Sequence, residues 1–315
     1  MQGKVHLGSE GGAVKDRREM TGKIAPLDAE NFKRLTEDEV GFQKLSALLK
    51  TKTGIYMPVT PKNLTLMAAR LAKVLPRFEL HDYSEMYKNL QKDEPEILKA
   101  FIEAMTTNKT EFFRESQHFD YLPQALKDVM KTKSAQGTPR EIRLWCAAAS
   151  RGHEPYSILI TILESGLDPA AWRLRFLASD IDKTVLETAS KGVYKEDELK
   201  EIPAAIRSKY FNPLNAAGES GRFLVKEEYR SMISFAQVNL INFPYPFQHK
   251  FDIIFCRNVM IYFDPPTTQK VKEQLADALA PQGYLFIGHS ETGSGRVPQL
   301  QSVESAVFKK TKEAS

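Results

Sequence analysis

The sequence is poor in cysteine, has no long apolar run and lacks a dinucleotide fingerprint, and each absence removes a class of protein. Cys146 and Cys256 are the only cysteines in 315 residues, both inside apolar strand-like segments. That excludes a disulfide framework and points to reduced, buried thiols in a cytosolic chain, although a redox-sensitive pair is conceivable. Six histidines, scattered without ligand spacing, offer no metal constellation, so no metal is expected. No apolar stretch approaches the roughly 20 residues of a membrane span. The start, MQGKVHLGSEGGAVKDRREMTGK, lacks the apolar core of a secretory signal, and residues 1–30 read as a disordered leader. Charge of one sign is also scarce: a net +4 suits an acidic partner and is too weak to imply nucleic acid.

What is present suits an ordinary globular chain of about two domains, given roughly 150 residues per domain. From Thr36 the pattern is helical. TEDE reads as a capping box with Thr36 as N-cap and Glu39 reaching back, and Phe42, Leu45, Leu48 and Leu49 form one apolar face that ends at Gly54. Three more amphipathic helices follow, in PKNLTLMAARLAKVLP, DYSEMYKNL and the stretch from EPEI, giving an all-α domain over 31–106. Residues 107–140 read as a linker and a helix starting at EFFRES that contributes to the functional site. From 141 to 315, apolar strands (EIRLWCA, RLRFLASD, SFAQVNL, FDIIFCRN, GYLFIGHS, AVFKK) alternate with amphipathic helices. That texture predicts an α/β domain with a doubly wound, mostly parallel sheet. The run 209–237 breaks the alternation and reads as a small β insertion, a common place for binding.

In such a sheet, ligands bind beyond the carboxyl ends of the strands. The first loop, CAAASRGHEP, is rich in small residues, and Gly152 would let a ligand approach the backbone closely. It lacks G-x-G-x-x-G, which excludes a pyrophosphate cradle. Asp180 ends the next strand, where it can accept from two ribose hydroxyls. An adenosine-containing ligand without a pyrophosphate fits both facts, and S-adenosylmethionine is the commonest such cofactor. Arg257 and Asn258 interrupt FDIIFCRNVMIYFD where an apolar strand should simply end. A plain turn, a helix cap and a surface arginine are the bland alternatives for these features taken singly.

TTNKTEFFRE, WCAAASRGHEPYS, FLASDID, VNL and FDIIFCRNVMIYFD together resemble the CheR-type chemotaxis receptor methyltransferases, over roughly 31–310. The resemblance implies a Rossmann-like S-adenosylmethionine methyltransferase fold, and transfer of methyl groups to glutamates of chemoreceptors as methyl esters. It assigns Asn108, Thr110, Arg114, Glu154, Asp180, Asn239, Leu240, Arg257 and Asn258 to the cofactor. Glu154 would hold its methionyl amine, and Arg114 and Tyr262 would stand at the reaction. His153 takes the place of an acidic residue common in the family, so a change in pocket charge is expected. The face of Lys62, Arg70 and Lys73 would meet the acidic cytoplasmic bundle of a receptor, and the insertion around Gly218–Arg222 would take a receptor tail peptide. A monomer with no membrane insertion and no nucleic-acid partner is expected. A non-catalytic adaptor and a methyltransferase of small molecules or RNA are the competing classes, and the presence of both Arg114 and Tyr262 disfavours the adaptor.

Overall fold

The computed structural model describes residues 28–92, 94–214, 221–293 and 295–311, so the expected leader up to residue 27 and the first three residues of GESGR lie outside them. The chain begins with six helices: α1 (Ala29–Glu37), α2 (Glu39–Thr53), α3 (Pro61–Leu71), α4 (Val74–Arg77), α5 (Tyr83–Gln91) and α6 (Pro95–Met105). Their apolar faces bury Leu35, Phe42, Leu45, Leu49, Met67, Leu71, Leu75, Met86 and Phe101 in one core. The start of α2 departs from expectation. Thr36 lies in the last turn of α1 and donates to the Lys33 carbonyl (2.7 Å), while Asp38 caps α2 by accepting from Gly41 N–H (2.8 Å). A carboxylate two residues later serves the free N–H groups of the first turn, so the helix starts there.

After the linker, α7 (Gln117–Ala135) starts later than the EFFRES pattern predicts, because Phe113 and Glu115 take positive φ (55° and 56°) and break the helical path. The sheet domain then runs β1 (Glu141–Cys146), α8 (His153–Glu164), β2 (Arg173–Asp180), α9 (Lys183–Lys191), β3 (Val193–Lys195), α10 (Ala204–Tyr210), β4 (Phe211–Leu214), β5 (Arg222–Val225), α11 (Glu227–Arg230), β6 (Ile233–Gln237), β7 (Phe251–Cys256), α12 (Pro265–Ala278), β8 (Leu279–Ile287), β9 (Leu300–Glu304) and β10 (Val307–Lys310). Seven strands form one sheet in the order β6-β2-β1-β7-β8-β10-β9. The first five are parallel, and β10 pairs antiparallel with both β8 and β9. All six residues of β7 are buried, as covering both faces of a central parallel strand demands. On one face α7 and α8 bury Phe119, Leu122, Leu126, Ile158 and Ile162, and on the other α12 buries Val271 and Leu275.

The insertion is a three-stranded antiparallel sheet in the order β3-β5-β4. It therefore begins at Val193, earlier than the 209 read from turn residues, because β3 is only three residues long and carries no period of its own.

Candidate active site

Strand order reverses between β1 and β7: β2 and β6 lie to one side, β8 to the other. A cleft opens there, past the carboxyl ends of the parallel strands. Ala147 and Ala148 after β1, Asp180 at the end of β2, Val238 to Leu240 after β6 and Arg257 with Asn258 after β7 form its floor. Thr106 to Thr110, Arg114, Ser150 and Glu154 form the walls, and Thr53, Ile55, Tyr262 and Phe263 complete it. One cavity thus gathers Asn108, Thr110, Arg114, Glu154, Asp180, Asn239, Leu240, Arg257, Asn258 and Tyr262, residues spread over five stretches of sequence.

Two expectations about the first loop fail. Gly152 does not line the cleft. Its φ is +94°, and an added Cβ would come within 2.6 Å of the Tyr194 hydroxyl and 2.9 Å of Ala189, so packing against α9 and β3 requires the glycine. His153 points away too. It is buried against the rings of Phe112 and Tyr194, each 4.7 Å away, with Nε2 3.1 Å from Glu198. Burial lowers its pKa to about 4, so it leaves the charge of the cleft unchanged.

The electrostatic centre is Arg257, only 3% exposed. Nη1 donates to Glu154 Oε2 (2.7 Å), and Nη2 donates to Glu115 Oε2 (3.1 Å) and to the Arg114 carbonyl (2.5 Å). The ring of Phe119 lies 5.6 Å from the guanidinium. A buried cation needs this many acceptors to offset its lost hydration. Burial pushes the Glu154 carboxyl up, and Arg257 offsets only part of that rise. Burial also raises Asp180, opposed by the N–H groups of Asp182 (3.1 Å) and Ser150 (2.9 Å), which donate to its two oxygens. Each oxygen keeps a further lone pair for a ligand. Asn108 donates to Asp182 (3.1 Å), the residue that caps α9, and its carbonyl accepts from the Ser150 hydroxyl (3.3 Å).

The helical domain closes the site. Gly54, at φ +80°, ends α2, and a Cβ there would strike Ile241 at 2.6 Å and Phe263 at 3.0 Å. The next residues cross to the loop after β7: Tyr56 N–H donates to the Tyr262 carbonyl (2.8 Å), Ile55 forms a bridge with Phe263, and Lys50 pairs with Asp264 (2.6 Å). Asn239 spends its amide on the Lys52 carbonyl (2.7 Å). Of the basic face, Lys62 and Lys73 are exposed and stand off the cleft. Arg70 does not share their freedom, since its guanidinium donates to the Met105 carbonyl (2.5 Å) and Thr107 Oγ1 (2.6 Å) and fixes the linker to α3.

Two residues that sequence reasoning left unassigned hold the site from behind, one inside TTNKTEFFRE and one just past GYLFIGHS. Glu115 Oε1 accepts from the Asn258 amide (2.9 Å). Glu291, buried in the turn after β8, accepts from the N–H groups of Gly288 (2.6 Å), Asn258 (3.0 Å) and Met260 (2.7 Å), and so fixes the turn that carries Tyr262. Two of the histidines are not scattered after all. His118 and His289 stack 4.8 Å apart with planes 7° from parallel, beside Glu115 Oε2. These three residues could in principle surround an ion. Arg257 already occupies the same carboxylate oxygen with a positive charge, and parallel rings do not converge their nitrogens, so the donor set does not fit a metal.

The chain matches two family descriptions in succession: "CheR methyltransferase, all-alpha domain" over residues 41–106 and "CheR methyltransferase, SAM binding domain" over 108–309. It is 36% identical to chemotaxis protein methyltransferase 2 of Pseudomonas aeruginosa over 270 residues, covering 85% of this chain and 91% of that protein. Against the chemotaxis protein methyltransferase of Borreliella burgdorferi it is 35% identical, covering 88% and 95%. Against that of Escherichia coli it is 36% identical, covering 83% and 87%.

Proposed function

The chain belongs to the CheR methyltransferase family, and on that premise we propose that this S-adenosylmethionine-dependent methyltransferase esterifies glutamate side chains on the cytoplasmic helical bundles of chemoreceptors, with the cleft described above as its active site. One observation carries the reading: ten residues expected at the site from five separate motifs share a single cavity at the reversal of strand order.

The donor set fits the cofactor. Glu154, buried and held up in pKa, suits a cationic amine, and Asp180 at a strand tip suits ribose hydroxyls. Ala147, Ala148, Val238 and Leu240 line the same cleft and offer apolar contact to an adenine. Asn108, Thr110, Asn239, Arg257 and Asn258 complete the cofactor wall in this reading. S-adenosylmethionine supplies an electrophilic methyl on a sulfonium, open to in-line displacement by an oxygen.

The acceptor needs no general base, because a free glutamate with a pKa of about 4.3 is ionised at neutral pH. What the chain must do is align that carboxylate and exclude water. Arg114, half-buried at the cleft wall, can grip it through its planar fork, and Tyr262 can orient it through its hydroxyl. The closure by Thr53 and Ile55 shields the same space. An adaptor without activity would not need these groups turned into one cavity.

Lys62 and Lys73, exposed on the helical domain, would meet acidic positions of the receptor bundle, with Arg70 serving the linker instead. The β3-β5-β4 sheet would hold a receptor tail peptide by strand addition at an edge. One chain supplies the whole cleft, so a monomer working in the cytoplasm suffices. The test is mass spectrometry of receptor peptides after incubation with enzyme and cofactor: each target glutamate should gain one methyl, removable by alkali. Methyl groups found on another residue type would overturn the substrate while leaving the fold in place.

A further inference from the structure

We propose that Glu115 sets the charge of the cofactor's amine subsite, a role that rests on the assignment of the cleft to S-adenosylmethionine. Among the described residues Arg257 is the one cation in contact with Glu154, and it touches two carboxylates: Glu154 on α8 at 2.7 Å and Glu115 before α7 at 3.1 Å. Two carboxylates against one guanidinium leave one net negative charge. A cationic amine at Glu154 neutralises it. Without Glu115, Arg257 would neutralise Glu154 alone, and the subsite would present no net charge to the amine.

The surroundings keep that charge in place. Burial pushes Glu115 up, but the Asn258 amide and the Arg257 guanidinium outweigh it, so the carboxyl is held below the usual range and stays ionised. His118, from α7, faces Glu115 at 3.6 Å, and burial lowers its pKa to about 4, so it adds no cation at neutral pH. His289, from the turn after β8, stands 3.1 Å from the same oxygen. Glu291 is taken up with the backbone N–H groups of the 258–261 turn. Arg114 brings its carbonyl to Arg257, and its own guanidinium donates to the Lys109 carbonyl (3.3 Å). Glu115 is therefore a positioning residue: it acts on the amine through Arg257.

The test compares two probes by calorimetry on the whole chain at about pH 8. S-adenosylhomocysteine carries the amine, and its deamino analogue keeps the carboxylate but has hydrogen in place of the amine. Glu115→Gln, which keeps the shape and loses the charge, should weaken the first roughly tenfold or more, as expected of one charge at several ångströms in a partly buried site. It should leave the second unchanged. Glu115→Asp, which keeps the charge and shortens the side chain, should retain the preference for the amine-bearing probe. Equal weakening of both probes, no change in either with Glu115→Gln, or loss of the preference with Glu115→Asp would each overturn the inference. Wild-type protein that binds neither probe would instead overturn the assignment of the cleft.

Discussion

At the residue scale, Arg257 is the side chain on which most of the site depends. It is buried against Glu154 and Glu115, so Arg257→Ala leaves two carboxylates without their shared cation, and breaking a buried pair from one side costs about 3–5 kcal/mol. Urea unfolding should show a loss of that size, and an unchanged midpoint would mean that the carboxylates find other partners. Glu154 gives a pH prediction with a definite sign. Burial raises its pKa in the free protein, and a bound amine favours the ionised form and draws the value back down. Affinity for S-adenosylhomocysteine is then full above the raised value and falls as pH drops from neutral toward the range in which an ordinary carboxylate protonates. Asp180, raised by burial as well, acts in the same direction. A flat affinity over that range would contradict the account. Arg257 and Asn258 were legible in the sequence because a polar pair breaks an apolar strand. Glu115 was not, because one acidic residue in a polar stretch breaks no pattern, and its partners lie 142 and 143 residues away.

At the element scale, the end of α2 is the part that joins the two domains. Gly54 needs both a positive φ and the absence of a Cβ, since Ile241 and Phe263 crowd the position. Gly54→Ala should displace Ile55 and Tyr56 from the loop of Tyr262, lowering cofactor affinity as well as the melting temperature. A stability cost of about 1–3 kcal/mol is expected from strain and overpacking. The Lys50–Asp264 pair is part-exposed, and Lys50→Ala should change stability by less than about 1 kcal/mol. Affinity insensitive to Gly54→Ala would show that closure by the helical domain does not matter to the cofactor. Sequence periodicity located the long helices and the buried strands, because each repeats its signal over several residues. It misplaced the N-cap of α2, where Thr36 and Asp38 both satisfy the capping rule and only the path of α1 decides. It started the insertion late, because β3 is three residues long and its partner β5 lies beyond α10 and β4.

At the scale of the whole molecule, the helical domain and the sheet domain have separate cores, and the cleft draws residues from both. The alternation of apolar strands and helices made the parallel sheet legible, and the ends of its strands pointed to the cleft. That α2 would close the cleft was invisible, since domain docking leaves no local period. No helix among the described residues is long and apolar enough to cross a membrane. The central claim, transfer of a methyl group to glutamate with Arg114 gripping the acceptor, is tested most directly with tritiated S-adenosylmethionine and membranes carrying the chemoreceptors of the same organism. Wild type should place label on the receptors that alkali releases as volatile methanol, and Arg114→Ala should abolish it. Arg114→Lys should restore little, because a lysine lacks the planar fork. Alkali-stable label, or undiminished volatile label in Arg114→Ala, would contradict the account.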